Sequence, residues 1–146
     1  MPCHALPTRP DLLPCLTLCY VCVAQEDGYE SVIVQGSGTM AVEATLGSAI
    51  PREGAKVLIA DAGAYGARMI EMANYMDIPT ASVKFAEKDP ATVEGVMAAV
   101  KADPSITHVA LVHHETTAGA LTPIAEIGKA LHAHNPDITY VPWPLP

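Results

Sequence analysis

Three short segments of this 146-residue chain are rich in glycine and in side chains that can bind a ligand: Gln35–Thr39, Asp61–Gly66 and His113–Gly119. In the first segment two glycines allow a tight turn, and the hydroxyls of Ser37 and Thr39 stand at the start of a predicted helix. Unpaired N–H groups at a helix start, together with two hydroxyls, predict an anion site suited to phosphate. A simple helix cap is the alternative, because one hydroxyl is enough for that role.

The first segment also fits a dinucleotide-binding fingerprint. Gly36, Gly38 and Ala41 follow the Gly-x-Gly-x-x-Ala spacing, and Asp61 ends the next predicted strand, where an acid can bind a ribose. The first two segments therefore leave open whether the ligand is NAD or another phosphate-bearing cofactor.

The second segment places Tyr65 between glycines at a strand-to-helix junction. Its ring can stack on a planar cofactor there, or it can pack across the start of the helix.

In the third segment we expect Glu115 and the neighbouring threonine hydroxyls to hydrogen-bond a polar ligand, with an internally satisfied turn as the alternative. His113 and His114 point to opposite faces of an extended chain, so we expect one to be buried and the other free, and no metal site.

The elements that position these segments alternate between strand and helix patterns. We predict strands at 31–35, 56–60, 80–85, 107–112 and 138–141, and helices at 39–48, 64–76, 89–101 and 122–134. The third helix is expected to begin at the cap Asp89-Pro90. This alternation predicts an α/β fold with a mostly parallel sheet covered on both faces, and ligands bind such sheets at the carboxyl ends of the strands.

The ends of the chain differ from the alternating part. Residues 1–26 read as an irregular leader outside the fold, and 27–146 as the domain. The leader holds all four cysteines, whose spacing fits no standard zinc pattern. The apolar run 12–24 has the length of a signal-peptide core, but its flanks are poor, and it is too short to span a bilayer as a helix. A net charge of −8 with scattered basic residues gives no nucleic-acid footprint.

Together the three segments resemble the class V aminotransferases of pyridoxal-phosphate fold type I. The strings that carry the resemblance are 34–44, 63–68 and 108–119, and the similarity extends over about residues 27–134. It implies a three-layer αβα architecture with a mostly parallel sheet, forming part of the large domain of such an enzyme. It also makes the dinucleotide interpretation a remote one.

The resemblance assigns roles to five residues. Ser37, Gly38 and Thr39 would hold the phosphate of pyridoxal 5′-phosphate, and Tyr65 would stack on its pyridine ring. Thr117 would hydrogen-bond near the ring hydroxyl or the substrate. The implied reaction moves an amino group from a small amine to a keto acid, with 2-aminoethylphosphonate and pyruvate giving phosphonoacetaldehyde and alanine. The resemblance further implies a cytoplasmic homodimer that needs neither membrane nor nucleic acid.

The resemblance also implies a Schiff-base lysine and an aspartate facing the ring nitrogen, both beyond the last predicted helix. The lysines here are Lys56, Lys84, Lys88, Lys101 and Lys129, and none follows a strand in the required context. Asp137 precedes the last predicted strand instead of following it. We therefore expect a fragment that is inactive alone. The alternative is a non-catalytic phosphate-binding or interaction module of the same fold.

Overall fold

The computed structural model describes residues 36–86 and 89–143. The predicted leader with its cysteines and the predicted strand at 31–35 lie outside the described residues. The described part belongs to one unit that begins at Gly36. None of its helices is long and apolar enough to cross a membrane.

Helices and strands alternate through the described ranges, close to the predicted positions. The helices are α1 (Gly38–Ala49), α2 (Ala64–Tyr75), α3 (Val93–Ala102) and α4 (Ile124–His134). The strands are β1 (Val57–Asp61), β2 (Thr80–Lys84), β3 (His108–Val112), β4 (His114–Glu115), β5 (Ala120–Leu121) and β6 (Thr139–Trp143).

Four strands form one parallel sheet in the order β2-β1-β3-β6. Val57 in β1 pairs with Thr80 on one side and with His108 on the other. The chain therefore winds outward from β1 to β2, returns, and winds outward again from β3 to β6. In sheets of this kind the loops after the two central strands diverge and leave a crevice at their carboxyl ends.

Each face of the sheet is covered by two helices, because successive side chains of a strand point to opposite faces. Val57 and Ile59 are buried on one face and Leu58 and Ala60 on the other. The first face packs against apolar side chains of α1 and α2, namely Leu46, Met69 and Ala73. The second packs against α3 and α4 through Val96, Val100, Ile127 and Leu131. The predicted three-layer αβα architecture with a mostly parallel sheet is confirmed.

Two details differ from the prediction. Helix α3 begins at Val93 and not at the predicted cap Asp89-Pro90, because the Thr92 hydroxyl accepts a hydrogen bond from the Gly95 N–H at 3.1 Å. A proline is compatible with the start of a helix but satisfies none of its unpaired N–H groups. A capping hydroxyl does satisfy one of them. The third polar segment also contains a small antiparallel hairpin, β4-β5, which the sequence did not reveal.

Helix α2 approaches strand β1 at Gly66. A Cβ added at this glycine would lie 2.7 Å from the carbonyl oxygen of Ala60 and 3.1 Å from Cα of Asp61. Both contacts are with backbone, so the helix itself would have to move to make room.

We expect Gly66→Ala to destabilise the fold by about 1–3 kcal/mol, the usual cost of overpacking. Gly47→Ala in α1 is the matched control, since the nearest atom to its new Cβ is Sδ of Met76 at 3.7 Å. That control should leave stability unchanged or raise it by up to about 1 kcal/mol. Urea unfolding of both variants measures the difference, and equal midpoints would contradict the packing described for α2.

His108 begins β3 and is buried, with Nδ1 2.7 Å from the Thr107 hydroxyl oxygen. Burial lowers the pKa of His108 below its ordinary value of 6.5, and the backbone carbonyl of Ala49 opposes that shift more weakly. The unfolded chain therefore binds this proton more readily than the folded chain. Folding stability should be lost as the pH falls from the unfolded-state pKa of about 6.5 toward the lower folded-state pKa.

We expect His108→Gln to flatten the dependence of unfolding free energy on pH between about pH 7 and 5. The exposed His132 of α4 offers the control His132→Gln, which should leave the slope unchanged. Urea unfolding at a series of pH values gives both slopes. A His108→Gln slope equal to that of the wild type would show that His108 does not contribute to the acid sensitivity.

Candidate functional site

The start of α1 presents an open helix N-terminus. Ser37 is the N-cap, and its hydroxyl accepts a hydrogen bond from the Met40 N–H at 3.3 Å. Within the described part of the chain no hydrogen bond engages the N–H groups of Gly38 and Thr39. Among the described residues, a Cβ built on Gly38 would meet no atom within 4 Å apart from its chain neighbours and the backbone of its own helix, so space adjoins this turn.

A cavity of about 280 Å³ opens beside this helix start. It is lined by Gly38 and Thr39 of α1, Tyr65 and Arg68 of α2, and Trp143 at the end of β6. Tyr65 is 38% exposed and can therefore meet a ligand. The lining residues offer helix N–H groups, a hydroxyl and a guanidinium, which favour an anion, and aromatic rings, which favour a planar group.

Trp143, which lines this cavity, also carries an unsatisfied donor. Its Nε1 is buried and has no hydrogen-bond partner in the described ranges. Buried polar groups in folded proteins are nearly always paired, so an isolated donor indicates a place for an acceptor atom.

A second cavity, of about 560 Å³, lies at the ends of β1 and β2. Asp61, Gly63, Lys84 and Thr117 are among its lining residues. The structure thus divides the predicted site: Gly38, Thr39 and Tyr65 line the smaller cavity, Thr117 lines the larger one, and Ser37 caps α1.

This division bears on the dinucleotide interpretation. Asp61 and the turn at Gly38 line different cavities. The arrangement therefore does not place Asp61 in the cavity that adjoins the turn at Gly38.

Glu115 is hydrogen-bonded to a residue of each cavity, Tyr65 of the smaller and Thr117 of the larger. Its side chain is fully buried, at 0% exposure. Oε2 accepts hydrogen bonds from the N–H groups of Tyr65 at 3.1 Å and Gly66 at 3.4 Å, and Oε1 accepts one from the Thr117 hydroxyl. The Thr117 oxygen in turn accepts a long hydrogen bond from the Ala64 N–H at 3.4 Å. The first turn of α2 is therefore satisfied from within the protein.

Two expectations for this segment are wrong. Glu115 does not face a ligand, because the donors of α2 and Thr117 occupy both of its oxygens. His113 is half-buried and His114 exposed, so neither is the buried member of the pair. The alternation of β4 turns Glu115 inward instead, next to the exposed His114.

The sequence analysis did not assign Arg68, Lys84 and Trp143 to the site. Arg68 lies one helical turn after Tyr65, and the other two are the last residues of β2 and β6. Strand-end position was the signal that could have found Lys84 and Trp143, since ligands bind at the carboxyl ends of parallel strands. Among the residues that the structure describes, no group of three or more His, Cys, Asp or Glu could hold a metal ion.

Comparison with known proteins gives a consistent result, although no protein-family model matches the chain. The 2-aminoethylphosphonate–pyruvate transaminase of Vibrio vulnificus is 51% identical over 110 residues, which are 75% of this chain. The enzyme of the same name from Salmonella paratyphi B is 50% identical over 109 residues. The chain spans only 30% and 29% of these two relatives.

The fold comparison agrees with the sequence comparison. The crystal structure of an alanine–glyoxylate aminotransferase from Nostoc sp. matches with a TM-score of 0.70 at 27% identity, covering 86% of this chain and 33% of that one. The resemblance to the class V aminotransferases drawn from the three polar segments is confirmed.

Proposed function

We propose that this chain is the cofactor-binding part of a class V, pyridoxal-phosphate-dependent 2-aminoethylphosphonate–pyruvate aminotransferase. The reaction would convert 2-aminoethylphosphonate and pyruvate into phosphonoacetaldehyde and alanine. The names of the relatives that are about 50% identical support this choice of substrates. Because the chain spans about 30% of those relatives, the activity is proposed for the whole enzyme and not for this part alone.

The observation that carries the proposal is the smaller cavity, which combines an open helix N-terminus with an exposed aromatic ring. The N–H groups of Gly38 and Thr39 and the hydroxyls of Ser37 and Thr39 supply donors for phosphate oxygens. Tyr65 lines the same space and can cover one face of a pyridine ring. These residues fit the phosphate group and one ring face of pyridoxal phosphate.

When bound, pyridoxal phosphate supplies the electron sink for amino transfer, and the protein supplies binding and orientation. The residues of this chain would bind the phosphate and hold the ring. No aspartate or glutamate is among the described residues that line this cavity, so the partner of the ring nitrogen is not provided by them.

The remaining features of the proposal follow the resemblance. Residues 27–146 would belong to the large domain, with 1–26 outside it. The enzyme would act in the cytoplasm as a homodimer on a small amine and a keto acid, without nucleic acid or membrane as a partner. The aminotransferase names of the relatives support the two small-molecule substrates.

We expect Ser37→Ala to weaken binding of inorganic phosphate and pyridoxal phosphate by at least about tenfold, because a hydrogen bond to a charged group is lost. Trp143 is the only tryptophan of the chain and lines the same cavity. Its emission can therefore follow a phosphate titration directly, and equilibrium dialysis measures the cofactor.

Thr92→Ala provides the matched control. Thr92 caps α3 as Ser37 caps α1, so its loss should cost similar stability, about 1 kcal/mol. Binding should survive in Thr92→Ala and fail in Ser37→Ala. Equal binding by the wild type and Ser37→Ala would overturn the proposed phosphate site, and equal loss in both variants would reduce the effect to helix capping.

We also expect borohydride treatment of the chain with pyridoxal phosphate to leave no single lysine stoichiometrically labelled. Lys84, the last residue of β2, lines the larger cavity. Peptide mass spectrometry locates any adduct, and Lys84→Arg is the control for that position. A specific adduct on Lys84 would contradict the expectation that this chain lacks a Schiff-base lysine.

A further inference from the structure

We propose that Glu115 is a positioning residue that holds Tyr65 and makes the Thr117 hydroxyl a hydrogen-bond acceptor toward an amine-bearing ligand. The anchoring of Tyr65 and Thr117 stands on the geometry alone. The identity of the ligand rests on the proposed function.

The first step concerns the cost of burying Glu115. A fully buried carboxylate is destabilising unless donors satisfy its oxygens. Here Oε2 accepts hydrogen bonds from the N–H groups of Tyr65 and Gly66, and Oε1 accepts one from the Thr117 hydroxyl. The positive end of the α2 dipole adds to these contacts. The buried carboxylate therefore requires the N–H groups of α2 and the Thr117 hydroxyl to be in place at the same time.

The second step concerns the remaining capacity of Thr117. A threonine hydroxyl has one hydrogen to donate and two lone pairs that can accept. The hydrogen goes to Glu115, and one lone pair receives the long hydrogen bond from the Ala64 N–H. Only an acceptor position is left, and exposed Thr117 lines the larger cavity. The ligand atom opposite it must therefore carry a hydrogen, as an ammonium group does.

The third step separates this role from ordinary capping. Helices α1 and α3 are capped locally by Ser37 and Thr92, whereas the N-cap of α2 is Gly63 and has no side chain. A Cβ at Gly63 would lie 2.5 Å from Cγ of Glu115. The glycine thus leaves room for a carboxylate from a distant loop, which links α2 to the segment that carries Thr117.

The test compares two probes that differ only in the substituent at C4 of the ring. Pyridoxamine 5′-phosphate carries an aminomethyl group there, and 4-deoxypyridoxine 5′-phosphate carries a methyl group. We expect the full 146-residue wild-type chain to bind the amine about tenfold more tightly, the effect of one hydrogen bond to a charged group. Thr117→Val should abolish this preference at nearly unchanged shape.

Glu115→Gln should also abolish or reverse the preference. The glutamine oxygen would accept from the two backbone N–H groups of α2, and its NH₂ would then face Thr117. The Thr117 oxygen would accept from that NH₂, and its hydrogen would turn toward the ligand amine. The double variant Glu115→Gln/Thr117→Val should resemble Thr117→Val, because both substitutions act through the same hydroxyl.

A second measurement needs no ligand. Amide hydrogen exchange at Tyr65 and Gly66 should become several-fold faster in Glu115→Gln, because charge-assisted hydrogen bonds are roughly twice as strong as neutral ones. Thr117→Val keeps both N–H donors to Oε2, so it should speed exchange less than Glu115→Gln does. Unchanged exchange in Glu115→Gln would overturn the anchoring role.

The outcomes separate the two proposals. If neither probe binds the wild type, the proposed function is overturned. Amide hydrogen exchange would then decide the anchoring role by itself. Binding without an amine preference would overturn the acceptor role of Thr117 while leaving the phosphate site intact. A preference that survives Thr117→Val but not Glu115→Gln would mean that the carboxylate attracts the amine directly, and would likewise overturn it.

Discussion

A buried carboxylate that must be fully hydrogen-bonded constrains the carboxyl edge of this sheet. Glu115 lies in the segment after β3, and its donors come from the first turn of α2, which follows β1. These two connections leave the sheet where the strand order reverses. The hydrogen bonds of Glu115 therefore link these two connections at the place where the doubly wound topology leaves a crevice. Tyr65 and Thr117 are brought into place on either side of this contact.

The way each helix start is satisfied decides which one can bind an anion. The first turn of α2 has its N–H groups taken by Glu115 and Thr117, so little of its positive end remains for a ligand. The first turn of α1 is capped by one hydroxyl, that of Ser37, and borders a cavity. Judged from their sequences alone, the two glycine-rich turns are equally suited to bind an anion. Their hydrogen bonds favour the start of α1 as the proposed phosphate site.

The aminotransferase proposal and the packing of the sheet support each other. Both faces of the sheet are covered by helices, whereas cavities adjoin the ends of its strands. The two cavities lie there, one beside α1 and one beyond β1 and β2. Trp143 and Lys84 reach them as the last residues of their strands. The same edge therefore carries the residues of this chain that the proposed cofactor binding would use.

Sequence alone determined the features that depend on neighbours along the chain. Alternating apolar patterns gave the strand and helix order, and a hydroxyl next to a helix start indicated the Ser37 turn. Tertiary structure decided what depends on residues far apart in the chain. Glu115 and Tyr65 are separated by 50 positions, and the sequence does not say which way a polar side chain in a short hairpin turns. Burial made that choice, because a carboxylate can enter the core only where enough donors converge on it.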